Sequence, residues 1–219
     1  MRANPKLSQT SKMPGKSWSL PAWSTCPGAR DAKNEPVEAC SRCYALTGAY
    51  VWPKAKALRE HNLKDWKVAN WVEAMTAKLY GVEYFRWFDS GDIYTRELGR
   101  KIYKVMVATP DTKHWLPTRS YKMPEIYYWI RRMDMLSNVA VRYSSDSTKG
   151  GRLPYSGSTI LQAKEDFVPE KGYSLCRASE RKGKCGSCRA CWSKQVTTIA
   201  YIAHGNKVNP KQFNAPLEV

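Results

Sequence analysis

Seven cysteines are the residues of this sequence with the clearest capacity for chemistry. They form two groups, Cys26-x13-Cys40-x2-Cys43 and Cys176-x8-Cys185-x2-Cys188-x2-Cys191. Two successive two-residue gaps bring three thiolates to one compact centre, as in the loops that hold [4Fe–4S] clusters. The second group therefore predicts a [4Fe–4S] cluster with Cys185, Cys188 and Cys191 among its ligands.

The fourth ligand of this cluster has two sources in the sequence. Cys176 is the local candidate, and Cys40 or Cys43 is the long-range one. All seven cysteines are candidate metal ligands. The seven thiolates could form two centres, one with four thiolates and one with three that includes Cys26. A three-thiolate cluster leaves one iron open, which lets it bind a substrate or S-adenosylmethionine.

Zinc is the alternative metal. A single Zn²⁺ takes four thiolates. Cys40-x2-Cys43 and Cys185-x2-Cys188 together have the spacing of a zinc knuckle pair. This interpretation predicts a zinc-stabilised interaction protein without redox chemistry.

Polar side chains form a second set of candidates, because they follow the ends of predicted strands. Carboxyl ends of parallel strands share one edge of a sheet, where ligands bind. We expect this set to converge into a candidate active site for a small anionic substrate. Its members are Asp89, Asp92, Arg119, Ser145, Asp146 and His204. Each of them could instead be an ordinary turn residue or helix cap.

Alternating strand and helix patterns must position these residues. Helices are predicted over 53–80, 95–109 and 125–136, and strands over 84–88, 114–117, 139–143 and 196–203. Strand–helix alternation predicts an α/β fold with a mostly parallel sheet. The specific prediction is a partial or irregular parallel βα barrel, similar to a TIM barrel, with a cysteine-rich loop capping one end.

Length and composition set the limits of this fold. The chain has 219 residues, 42% of them hydrophobic, which fits one domain and excludes a disordered protein. We predict a flexible basic arm at 1–16, one α/β domain at 17–205 with cysteine loops at 26–43 and 176–191, and a tail at 206–219. No secretory signal or membrane-spanning run is present.

The charge of the chain is strongly positive, at +17. It predicts a polyanionic partner, either nucleic acid or a host protein associated with nucleic acid. Tyr127-Tyr128-Trp129 with Arg131-Arg132 could stack on bases and track phosphates, or could pack within the protein. Six basic residues and one acidic residue lie within 176–194, so part of the charge could serve the metal centre itself.

Several long motifs resemble the bacteriophage "gene product eighty-eight" family over residues 17–205. They are Ser19-Leu20-Pro21-Ala22-Trp23, Cys40-x2-Cys43-Tyr44-Ala45, Arg86-Trp87-Phe88-Asp89-Ser90-Gly91-Asp92, His114-Trp115-Leu116-Pro117-Thr118-Arg119, Val141-Arg142-Tyr143-Ser144-Ser145-Asp146 and Cys185-Gly186-x-Cys188-Arg189-x-Cys191-Trp192. The resemblance implies a phage origin, the cytoplasm of the infected bacterial host and an iron–sulfur centre. The strand–helix order and the Cys-x2-Cys-Tyr-Ala segment are also distantly similar to radical S-adenosylmethionine barrels, without their compact Cys-x3-Cys-x2-Cys signature.

Two functions from different classes follow from these patterns. One is a phage iron–sulfur protein with a [4Fe–4S] cluster and a basic surface for nucleic acid. The other is a cluster-dependent enzyme, similar to radical S-adenosylmethionine enzymes, that acts on a small anionic substrate. The sequence leaves open whether the protein is an enzyme.

Overall fold

The computed structural model describes residues 2–151, 153, 155–204 and 208–218. The strands are Ser8–Gln9 (β1), Lys16–Trp18 (β2), Tyr84–Trp87 (β3), Lys113–Thr118 (β4), Val139–Ser144 (β5), Gly157–Leu161 (β6), Tyr173–Leu175 (β7) and Thr198–Ile202 (β8). The α-helices are Pro53–Asp65 (α1), Trp71–Leu79 (α2), Arg96–Ala108 (α3) and Pro124–Asp134 (α4). Short 3₁₀ turns make up much of the rest.

The strands form a single sheet in the order β1-β2-β3-β4-β5-β6-β8-β7. All neighbouring pairs are parallel except β1 and β2, which are antiparallel. The prediction of an α/β protein with a mostly parallel sheet is therefore confirmed. Within the described residues β1 and β7 are edge strands, so the sheet is not closed there.

The prediction of a single helix over 53–80 was wrong, because two helices, α1 and α2, occupy this segment. The break falls at residues 66–70. Lys101, which is buried on α3, donates from Nζ to the carbonyl oxygens of Trp66 and Val68 at 2.9 and 3.0 Å. These carbonyls are satisfied by a cation, and the chain turns before Trp71 begins the next helix.

Alternation along the strands separates two faces of the sheet. Phe85, Trp87, Leu116, Val141 and Tyr143 belong to the main hydrophobic core, together with side chains of α2, α3 and α4. The residues between them on β3, β4 and β5 point to the opposite face. That opposite face includes two arginines inside otherwise apolar strands, and it carries the candidate site.

Both ends of the described chain pack on the domain. In the segment predicted as a flexible arm, the backbone N–H groups of Ala3, Asn4 and Lys6 donate to side chains of residues 62–70. In the segment predicted as a tail, Phe213 packs against Trp23 with ring centroids 4.8 Å apart, and Trp23 Nε1 donates to the Phe213 carbonyl at 2.6 Å. In the described part of the chain, every helix is too short or too polar to span a bilayer.

Candidate functional site

A cavity of about 800 Å³ lies over the open face of the sheet. Side chains from β3, β4, β5, β6 and β8 line it, and so do the loops that follow β3 and β4. This volume is in the range that takes a small-molecule ligand or cofactor. The cavity is therefore the candidate ligand site.

The strand-end residues gather at the wall of this cavity. Asp89, Asp92, Arg119, Ser145 and His204 line it. Asp146 stands behind the wall, where its Oδ1 lies 3.5 Å from Arg119 Nε and its Oδ2 accepts a hydrogen bond from Lys122. The topology of parallel strands thus brings together side chains up to 115 positions apart in the sequence.

Asp92 holds the wall together. Its Oδ1 accepts from Thr118 Oγ1 and the Ile93 amide, both at 2.8 Å, and its Oδ2 accepts from the Arg119 amide at 2.8 Å. Burial raises the pKa of Asp92, against these hydrogen bonds. With its oxygens occupied, Asp92 connects the ends of β3 and β4 and has little capacity left for a ligand.

Asp89 differs from Asp92, because one of its oxygens is free. The residue is 6% exposed. Oδ2 accepts from Tyr50 Oη at 3.4 Å, whereas buried Oδ1 has no hydrogen-bond partner. A buried carboxylate oxygen without a partner is costly, so this oxygen is suited to a donor from a ligand. Of Asp89 and Asp92, Asp89 is therefore the one with a carboxylate oxygen available to a ligand.

The N-terminal thiol group (Cys26, Cys40 and Cys43) also lines the cavity. Its loop covers the carboxyl ends of the strands: the Ala39 amide donates to the Asp146 carbonyl at 2.8 Å, and Lys122 Nζ donates to the Gly28 carbonyl at 2.9 Å. A Cβ at Gly28 would lie 2.1 Å from the Arg119 carbonyl oxygen, so only glycine allows this approach. All three thiols therefore line the same cavity as Asp89 and Arg119.

These thiols are buried, and burial raises their pKa values. Desolvation raises the pKa of Cys26 well above its usual value, and it raises that of Cys43 to about 11. The negative charges of neighbouring thiolates in the same group raise both values further. Thiols of high pKa are poor nucleophiles, whereas a metal can displace their protons. The group is better suited to ligate metal than to attack a substrate.

The C-terminal thiol group (Cys176, Cys185, Cys188 and Cys191) lies on the same face of the sheet, against β3, β4 and β8. Trp192 packs on Trp115 with ring centroids 5.2 Å apart, and its Nε1 donates to the Phe85 carbonyl at 2.9 Å. Cys191 Sγ lies 3.5 Å from Tyr201 Oη, and Tyr201 lines the cavity. Burial raises the pKa of Cys191 to about 11.

Arg142 on β5 secures the loop that carries this group. Arg142 is only 1% exposed. Nε donates to the Cys191 carbonyl at 3.2 Å, and Nη2 donates to the carbonyls of Ala190 and Ser193 at 2.9 and 2.6 Å. Nη1 donates to the Val196 carbonyl. One guanidinium thus satisfies four carbonyls of the loop.

The structure separates the two thiol groups. Cys40 and Cys26 pack in one apolar cluster with Trp23, whereas Cys185 and Cys191 pack in another with Trp115 and Trp192. The zinc pairing of Cys40-x2-Cys43 with Cys185-x2-Cys188 stays a prediction, and this separation of the two groups does not favour it. Within the described residues no three His, Cys, Asp or Glu side chains are close enough for one metal ion.

The aromatic and basic residues predicted to contact nucleic acid lie on α4. Trp129 is half-buried against Tyr103, and Tyr128 is 53% exposed. Arg132 donates to the hydroxyl groups of Tyr103 and Tyr128 at 3.1 and 3.3 Å. This surface faces away from the cavity side of the sheet, and nucleic-acid binding stays a prediction.

Other residues of the cavity escaped the sequence analysis. They are Thr10, Lys12, Tyr44, Tyr50, Arg86, Trp115, Tyr201 and Phe213. Only Arg86 had a usable signal, since it is a charged residue between the buried Phe85 and Trp87 of a strand. The others come from loops or from apolar runs that look like core.

Fold and site together define an α/β protein whose parallel sheet carries a ligand-sized cavity flanked by two groups of cysteines. The chain belongs to the Gene product 88 family of bacteriophage proteins, because the model of that family matches residues 1–194. No curated protein and no solved structure matches the chain significantly. The resemblance to radical S-adenosylmethionine barrels stays a prediction.

Proposed function

We propose that this phage protein is an iron–sulfur enzyme with two [4Fe–4S] centres, one for each thiol group. The observation that carries the proposal is the N-terminal thiol group at the wall of a ligand-sized cavity, which Asp89 with its free oxygen also lines. A cluster held by three thiolates supplies an open iron that binds a small molecule. The C-terminal group, with four thiols, supplies a closed set of ligands.

The donor chemistry and the cysteine spacing support iron–sulfur clusters. All seven cysteines are free thiols, and thiolates are the ligands that hold such clusters. Each thiolate of a cubane binds a different iron, so its sulfur atoms lie further apart than those around one ion. The two-residue gaps among Cys185, Cys188 and Cys191 are the spacing of the loops that hold such clusters.

We further propose that the sheet curves around the cavity as a partial barrel, which the C-terminal cysteine loop closes at one end. Support comes from the cavity lining, because strands as far apart in the sheet as β3 and β8 contribute to it. The contacts of Trp192 and Arg142 place the loop against the strands that would form the barrel wall.

Metal analysis tests the two-cluster assignment. Protein purified without oxygen should be brown, absorb near 400 nm and contain about eight irons per chain. Changing Cys26, Cys40 and Cys43 to serine, or separately Cys185, Cys188 and Cys191, should each leave about four irons. Ser187→Ala, in the loop of the C-terminal thiol group, is the matched control and should keep all eight. Colourless protein that contains zinc instead of iron would overturn the proposal.

Ligand binding tests the enzymatic part. We expect the iron-loaded protein to bind S-adenosylmethionine saturably, as an open iron allows. Asp89→Ala should weaken binding at least tenfold, because it removes a buried acceptor for a donor group of the ligand. Asp111→Ala, an exposed acid outside the cavity, should leave the affinity unchanged. An absence of saturable binding to protein with a full iron content would reduce the proposal to a non-catalytic iron–sulfur protein.

A further inference from the structure

Arg86 lines the cavity without a carboxylate partner. Its Nη1 lies 3.8 Å from the sulfur of Met13, and its Nη2 donates to Tyr44 Oη at 3.1 Å. Buried Nε has no hydrogen-bond partner. None of the ion pairs among the described residues involves Arg86, although the more distant charge of Asp89 stabilises the guanidinium. A half-buried cation without an ion-pair partner is suited to an anionic ligand.

The surroundings of Arg86 are rich in donors. Its guanidinium lies 4.4 Å from the ring centroid of Trp115, whose Nε1 has no partner. Thr10 Oγ1 is also buried without a partner, and Thr10 and Lys12 line the same cavity. Two cations and two neutral donors therefore line the same cavity. The groups of opposite charge that act on Arg86 are Tyr44, Asp89, Tyr50 and Tyr201 in their ionised forms.

We propose that Arg86, Lys12, Thr10 and Trp115 form an oxyanion site that binds a carboxylate or phosphate group of a small ligand. An arginine fork recognises such groups through two parallel hydrogen bonds. Nε of Arg86 has no hydrogen-bond partner, and Nη2 keeps one N–H beside its bond to Tyr44. Trp115 Nε1 and Thr10 Oγ1 supply the additional donors that a group with two or three oxygens can use.

This inference deepens the proposed function, on which it rests for treating the ligand as a substrate. Asp89 and the N-terminal thiol group lie along the same cavity as Arg86. A substrate with an acidic group at Arg86 would extend from there towards the carboxyl ends of the strands. The binding of the anion itself needs no iron, so the two proposals can fail separately.

Calorimetric titration of the full chain with inorganic phosphate and with malonate tests the site. The two anions distinguish a phosphate ligand from a carboxylate ligand, and tighter binding of either supports the proposal. Arg86→Gln should weaken binding of the preferred anion at least tenfold. Arg42→Gln is the matched control, because Arg42 is an exposed arginine at the same cavity and its loss removes the same charge. The control should change the affinity less than twofold.

Several outcomes would overturn the oxyanion site. The first is that the protein binds neither anion, and the second is that Arg86→Gln binds as tightly as the unmodified protein. The third is that Arg86→Gln and Arg42→Gln lose the same affinity, which would indicate a general effect of charge. If Arg86→Gln does not fold, Trp115→Phe removes one donor while keeping an aromatic ring, and its affinity should fall at least threefold. Iron content is measured on the same samples. If the protein has its full iron content but binds neither anion, the oxyanion site is wrong and the proposed function stands. If it binds an anion but contains no iron, the proposed function is wrong and the oxyanion site stands.

Discussion

Arg142→Met is expected to release the C-terminal cysteine loop from the sheet. The four carbonyls that the guanidinium satisfies would lose their donors, and methionine fills the space without replacing any of them. Removing one side of a buried, charged hydrogen-bond network costs about 3–5 kcal/mol. We expect the free energy of unfolding to fall by that amount, as measured by urea denaturation.

Limited digestion with trypsin gives a local readout of the same change. The loop carries Arg177, Arg181, Lys182, Lys184, Arg189 and Lys194 as cleavage sites. In Arg142→Met, cleavage there should accelerate at least tenfold, and iron bound by the C-terminal thiol group should be lost. Arg131→Met is the control, since Arg131 on α4 has a half-exposed side chain and should have no effect on either measurement. A loop equally resistant to trypsin in Arg142→Met would contradict the anchoring role.

His114 is expected to make the protein sensitive to acid. It lies fully buried on β4. Trp87 Nε1 donates to Nδ1 at 3.2 Å, so the ring proton lies on Nε2, which donates to Thr109 Oγ1 at 2.9 Å. Burial lowers the pKa of His114 to about 3. The neutral ring is therefore the form that the folded protein accommodates.

The sign of the effect follows from linkage. Below its ordinary pKa of about 6.5 the histidine of the unfolded chain binds a proton that the folded chain does not. The free energy of unfolding should therefore fall as the pH drops from 6.5 towards 3, by about 1.4 kcal/mol per pH unit and about 5 kcal/mol in total. Below pH 3 the contribution levels off, because both states are protonated.

His114→Asn should remove most of this slope. Asparagine keeps an acceptor for Trp87 Nε1 but does not titrate. Urea denaturation at a series of pH values between 7 and 3 measures the slope, and His61→Asn is the control because that side chain is 39% exposed. The assignment fails if the slope is the same in His114→Asn as in the unmodified protein.

The central parallel strands were predicted correctly from the sequence, and with them the edge of the sheet at which their carboxyl ends lie. β3, β4 and β5 are apolar runs flanked by turns, and the rule that parallel strands end at one edge brought Asp89, Arg119 and Ser145 to one cavity. β6 was missed because Gly157, Ser158 and Thr159 lack the apolar alternation of a strand, although Thr159 is only 1% exposed. Three-residue strands such as β2 are too short to show any period.

The inner side of the cavity was harder to predict. Arg86 and Arg142 are charges within buried strands, and their position in a two-residue alternation marks the face away from the helices. What they bind depends on loops distant in sequence, Met13 and Tyr44 for Arg86 and residues 190–196 for Arg142. Spacing among the cysteines left open whether the two groups meet, because that depends on which end of the strands each loop covers.

The packing of Phe213 on Trp23 has a consequence for the order of events during synthesis. Phe213 is translated 190 positions after Trp23. At about 5–20 residues per second, the loop with Cys26, Cys40 and Cys43 waits roughly 10–40 s on the ribosome before the segment that covers it exists. In the proposed iron–sulfur protein, the N-terminal thiol group would therefore be open to iron and sulfide during this interval, before the segment that contains Phe213 packs over it.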